Sequence, residues 1–246
     1  MAYRTQLPPK LDALVEHAYA LFADYPIREL LNGCTACCLS PDQQRALLST
    51  SVRALDLELV EAYHYAAKGR GMSEDEVRHF LPRTFEAVAR YGFSGIDLER
   101  AAAPLAASDW RAWPEPERVF VEAFLTELVD DALGQWPFEE AHELVELVVF
   151  AVESGREPLQ VLEQMATHPA PRSVLHLTST IVEGRKAALG RIVGRDRLDA
   201  WLFQRAESRA ALIVKLEHCI SDDELAEADR VQAEVALATL RADAST

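Results

Sequence analysis

Apolar positions along this chain recur with the 3.6-residue period of an amphipathic helix, and strand-like alternation bounded by turn signals is nearly absent. Leu11, Leu14, Val15, Ala18, Leu21, Phe22 and Tyr25 form the first such stripe, and Pro26 ends it. The next start is Ser40-Pro41-Asp42-Gln43. Ser40 caps, Pro41 fits the first helical position, and Gln43 completes a capping box. Asp56 is placed to cap a helix running through Lys68, with Gly69 just past its end. Ser73 and Glu76 form a second capping box ahead of VRHFLPRTFEAVARYG. Pro82 inside that stretch has no N–H for the helical ladder, so it predicts a kink, or a split at Leu81. Asp97 predicts a short helix to about Leu105, and Pro-Glu-Pro at 114–116 opens a long one that Gly134 stops after Leu133.

Residues 138–153 form the most apolar helical segment, ended by Gly155, and read as a central helix. Leu144, Val145, Val148, Val149 and Val152 are expected to be nearly fully buried in it. Further helices fit 158–167, 172–183, 196–219 and 222–241, the last opened by a Ser221–Glu224 box, with Pro169 and Pro171 punctuating one junction. No internal repeat has a fixed period. The fold class predicted is all-α: a bundle of about ten helices without a sheet. It is expected to form a single domain over 1–246, with a weak subdivision near 167–171.

Composition adds limits. Hydrophobic residues make up 49% of 246, ample for a packed core, and only 10 are glycine. The start, MAYRTQLPPK, has no apolar signal-peptide region, and no apolar run approaches the ~18 residues of a membrane span. Four cysteines in such a chain argue against a disulfide framework and for a reducing, cytoplasmic setting. The net charge is −15, and residues 115–165 hold 13 acids against 2 bases. That excludes nucleic-acid binding through the general surface, since phosphate recognition needs a basic field. An acidic middle attracts a basic protein instead, or simply keeps the chain solvated.

The segments YPIRELLNGC (25–34), HFLPR (79–83) and WRAWPEPE (110–117) carry a resemblance. Together they resemble a family of uncharacterised bacterial helical proteins, in which a cysteine-rich turn precedes an HFLPR-like helix and a tryptophan-rich segment. The resemblance spans roughly residues 20–150 and implies no reaction. From the residues themselves, Phe80 and Leu81 face a core, Pro82 bends the helix and Arg83 pairs with a carboxylate.

Two constellations are candidates for chemistry. The first is the turn LNGCTACCLS at 31–40. Cys34 and Cys37 have the C-x₂-C spacing of a zinc knuckle, and Cys38, His218, Cys219 or His17 are available to complete four ligands. Adjacent residues diverge by about 100° on a helix, so His218 with Cys219, or Cys37 with Cys38, fit one ion badly. A redox reading uses the helix starting at Pro41 to lower a thiol pKa, but no strand precedes it as in thioredoxin-like sites. The remaining reading, which we expect to hold, is a structural, metal-free turn of small reduced cysteines. The second constellation is three Glu-x-x-His pairs: Glu61 and His64, Glu76 and His79, Glu139 and His142. Two such pairs plus single glutamates, here Glu122 or Glu127, make a di-iron bundle. His79, however, falls off the apolar face of its helix, toward solvent. No G-x-S-x-G, H-E-x-x-H or P-loop motif is present. Trp110, Trp113 and Trp136 read as core anchors. These observations predict a non-enzymatic cytoplasmic protein that acts by protein–protein interaction, of inhibitor or immunity type, on a basic partner. The alternative is a zinc-binding or thiol-redox helical protein built on the cysteine turn.

Overall fold

The structure, a computed structural model, describes residues 4–31, 33–36, 38–67, 73–93, 96–135, 144–184 and 188–242. The fold is all-α. Among the described residues there is no strand, and the one β-type pairing is the antiparallel bridge between Gly33 and Ala67. The helices are α1 (Pro9–Leu21), α2 (Pro41–Ser49), α3 (Leu57–Ala66), α4 (Glu74–Ala89), α5 (Leu98–Ala107), α6 (Glu115–Leu133), α7 (Leu144–Glu153), α8 (Pro158–Thr167), α9 (Thr178–Glu183), α10 (Ala188–Val193), α11 (Arg195–Asp199), α12 (Ala206–Ile220) and α13 (Glu227–Ala242). The chain packs as two compact units: Met1–Leu128 with Glu140–Gly155, and Val129–Glu139 with Arg156–Thr246.

In the first unit, α4 lies against α1, α3 and α5, and α5 against α7. Its core is aromatic. Phe85 stacks on Phe124 at 3.9 Å, and Phe22 meets Trp113 edge-on at 6.2 Å. Helix starts follow the capping chemistry. Ser40 and Gln43 form the reciprocal box, and Asp97 accepts from the Arg100 amide at 2.8 Å. Ser73 accepts from the Glu76 amide, but the Glu76 carboxylate turns away and accepts the Leu31 amide at 2.6 Å. Asp56 holds the N-cap position of α3 without a side-chain bond.

Helix α4 does not split at Leu81: it runs unbroken through Pro82, which is buried with Phe80, Leu81 and Phe85. One missing ladder bond costs less than dividing a helix that carries so much core. The α7 expectation needs correction as well. Leu144 and Val148 are buried, with Leu147, Phe150 and Ala151, while Val145, Val149 and Val152 are only half-buried. A helix packed on one side presents one stripe to its neighbour, and the apolar excess of LVELVVFAV spills past it. Residues 138–143 lie outside the described residues. Gly155 follows at φ +110°, a conformation that favours glycine. A Cβ there would also lie 2.8 Å from Arg111 Nη1.

In the second unit, α12 lies against α8, α13 and a 3₁₀ segment, Pro171–Leu177, and α13 against α9. The segment expected as one helix over 172–183 therefore starts as 3₁₀. That expected over 196–219 is α11, a π-helical turn at Ala200–Gln204 and then α12, with Arg205 extended between them. Ser221 does not open the last helix. Its Oγ donates to the His218 carbonyl and closes α12, while the Asp222 carboxylate accepts the Glu224 amide and α13 begins at Glu227. Hydroxyl and carboxylate caps serve either end of a gap, so spacing alone does not choose the start.

Candidate functional site

The cysteine turn is held by its backbone. The Cys34 amide donates to the Ala66 carbonyl at 2.8 Å, and the Cys34 carbonyl accepts from the Cys38 and Leu39 amides. Gln44 Nε2 on α2 donates to the Leu39 carbonyl at 3.0 Å. Cys34 is buried and Cys38 half-buried; with Cys219 they form no disulfide, and Cys37 lies outside the described residues. Cys219 is buried in the second unit, 3.6 Å from the Pro171 carbonyl, and burial pushes its thiol pKa up. His218 beside it is exposed. His17, in the first unit, lies against the Phe120 ring at 5.4 Å. Among the described residues, no three His, Cys, Asp or Glu side chains are arranged to hold a metal ion.

Of the Glu-x-x-His pairs, two lie among the described residues. His64 Nε2 lies 2.8 Å from Thr84 Oγ1, and Glu76 serves Leu31. His79 is half-buried rather than solvent-facing. It packs on the Phe80 ring, its Nδ1 lies 2.9 Å from the Tyr25 carbonyl, and burial lowers its pKa. A carbonyl only accepts, so that Nδ1 carries the proton. Glu139, His142 and Trp136 lie outside the described residues.

The segments that carry the resemblance meet in one buried clamp, and a second, half-buried one lies on α4. Arg78 Nε bonds Glu117 at 2.8 Å, and Tyr25 donates to the same carboxylate at 2.5 Å. The guanidinium lies over the Trp113 ring at 4.2 Å. Thus YPIRE, the residues around HFLPR and WRAWPEPE are tied at one point. Glu86 is the second hub: it takes Tyr19 at 2.6 Å, Arg83 at 2.7 Å and Arg90 at 3.0 Å. Arg83 also donates to the Leu55 carbonyl. Both clamps join helices and loops. The same holds for Lys215 in the second unit, whose Nζ donates to Ser173 Oγ at 3.0 Å. Burial brings this lysine's pKa down to about 8. Ser173 is 0% exposed.

Two open clefts lie among the described residues of the first unit. One, of about 660 Å³, follows the outer face of α6. Trp110 and Arg111 form one side, with Arg111 stacked on the Trp110 ring and bonded to the Gly155 carbonyl. Val119 and Ala123 lie exposed along it, between Arg118 at one end and Glu127 at the other, where Lys10 approaches Glu127 at 3.6 Å. The second, of about 570 Å³, lies between the end of α3, the outer face of α5 and Glu153. His64 contributes to its lining. Sequence reasoning pointed to neither cleft. The 56% exposure of Val119 is invisible in a helix whose apolar residues face several ways, and His64 drew notice only as a metal ligand. Comparison with known protein families, with curated proteins and with solved structures gives no match.

Proposed function

We propose that this chain is a non-catalytic binding protein that docks a basic protein partner on the outer face of α6. The observation that carries this reading is Val119, a large apolar side chain 56% exposed in a cleft rimmed by charges of both signs. An apolar centre within a polar rim is the anatomy of a protein interface, and small open clefts of this kind suit a protruding side chain. In sequence, the stretch that contains α6, 115–165, holds 13 acids against 2 bases and so favours a partner of opposite charge. An inhibitor or immunity-type role on a basic protein is the specific form of this reading.

The test places a photoreactive residue at position 119 in the full chain and irradiates it in its native host, with position 214 as an equally exposed control. Val214 is 64% exposed on α12. The reading expects an adduct specific to position 119, with a protein of basic pI, weakened by salt and lost in Val119→Asp. The same adducts at both positions, or an acidic partner insensitive to salt, would refute it.

A further inference from the structure

The cysteine turn hangs between two helices by separate tethers. On the α3 side, the Cys34 amide donates to the Ala66 carbonyl at 2.8 Å and Gly33 bridges Ala67. On the α2 side, Gln44 Nε2 donates to the Leu39 carbonyl at 3.0 Å and to the Thr35 carbonyl at 3.3 Å. Between the tethers, the Cys34 carbonyl accepts from the Cys38 amide at 3.3 Å, the closure of a single α-helical turn.

That closure sets a distance. Residues four apart in one such turn have Cα atoms about 6 Å apart and side chains on the same face. A disulfide spans Cα separations of about 4.4–6.8 Å, so Cys34 and Cys38 lie within its reach. Their Cβ atoms must still approach by roughly 1–2 Å. The turn can give that much, because the Cys34 carbonyl is shared between the Cys38 amide and, at 3.2 Å, the Leu39 amide. Both bonds are longer than the usual ~2.9–3.0 Å. Cys37 with Cys38 is a poorer pair, since consecutive Cα atoms are about 3.8 Å apart, below the disulfide range.

Exposure divides the roles. Cys38 is half-buried and open to a small reagent, whereas Cys34 is 7% exposed. A solvent-reached thiol backed by a buried one is the arrangement of an attacking and a resolving cysteine, and the resolving thiol needs no access of its own. Cys219, 0% exposed, is the sole cysteine of the second unit and has no such neighbour there.

We propose that Cys34 and Cys38 form a reversible disulfide when the protein meets a hydroperoxide. The Cys38 sulfur attacks one peroxide oxygen: an S–O bond forms, the O–O bond breaks, and the other oxygen leaves as water with the thiol proton. The Cys34 sulfur then attacks the Cys38 sulfur: the S–S bond forms, the S–O bond breaks, and a second water leaves with the Cys34 proton. With hydrogen peroxide, two thiols are oxidised and the peroxide is reduced to two waters. A thiol reductant restores the pair. Transient disulfides of this kind are the ones a reducing compartment allows. The proposal does not depend on docking at α6.

The experiment treats the reduced full chain with hydrogen peroxide, alkylates the remaining thiols and weighs the tryptic peptide 29–45, which holds Cys34, Cys37 and Cys38. It should lose the mass of two hydrogens, and dithiothreitol should restore them. In Cys37→Ser, where Cys34 and Cys38 are the one pair left in the peptide, the rate should stay within about twofold, and in Cys38→Ser it should fall about tenfold or more. In Cys34→Ser, dimedone should trap a sulfenic acid on Cys38. Cys38→Ser changes a half-buried position, so it decides the matter even if Cys34→Ser fails to fold. No bridge in the wild type, a bridge lost in Cys37→Ser or kept in Cys38→Ser, or oxidation of Cys219 at the same rate would overturn the proposal.

Discussion

Replacing Glu117 with leucine should be among the most destabilising single changes available outside the hydrocarbon core. The carboxylate is 7% exposed and its partner Arg78 is 9% exposed, with 2.8 Å between them. Removing one member of a buried pair leaves an uncompensated charge, a cost of about 3–5 kcal/mol. Here the lower end applies, because Arg78 retains Glu74 at 3.1 Å and Asp75 at 3.7 Å, both far more exposed. The Tyr25 hydroxyl loses its acceptor as well, adding about 1 kcal/mol. The expected total is about 3–4 kcal/mol. Replacing both Arg78 and Glu117 with leucine removes the orphaned charge, so the double variant should be more stable than Glu117→Leu alone. That makes the coupling energy about 2 kcal/mol, well above the scatter of additive changes. Urea denaturation gives the stabilities, and hydrogen exchange of the α4 and α6 amides localises the loss. A Glu117→Leu loss under about 1 kcal/mol, or strict additivity in the double variant, would refute the clamp.

Two further outcomes follow from burial. Val148→Asp places a charge where the side chain is 1% exposed and should cost several kcal/mol, whereas Val149→Asp, half-buried on the same helix, should cost clearly less; equal melting temperatures would reject the orientation of α7. Acid should weaken the fold through His64: its folded pKa of about 3 lies below the unfolded value near 6.5, so the unfolded chain binds more protons between them and stability falls as pH drops through that window. One group contributes at most about 1.4 kcal/mol per pH unit, and urea midpoints of wild type and His64→Gln from pH 6.5 to 4 should differ in slope by up to that amount; parallel slopes would contradict the assignment.

Much of the architecture was written in local chemistry. The helical period, the Ser40–Gln43 box, the Asp97 cap and the stop at Gly134 depend on residues a turn or two apart, and these set the all-α class and most boundaries. Where a local signal met a tertiary demand, the tertiary demand prevailed. Pro82 is tolerated because Phe80, Leu81 and Phe85 bury a whole helical face around it, and Glu76 leaves its capping box for the Leu31 amide. The motifs at 25–34, 79–83 and 110–117 gave no hint of their purpose, since Tyr25 lies 92 positions from Glu117 and joins Arg78 on its carboxylate only after folding. The cysteines suggested chemistry by spacing, but ligand convergence is a matter of distance. The same is true of His64, whose residue type allows a metal ligand, a base or a packed ring. Only the placement of the Thr84 hydroxyl, already committed to Phe80, turns it into a buried acceptor beside an open, carboxylate-rimmed cleft.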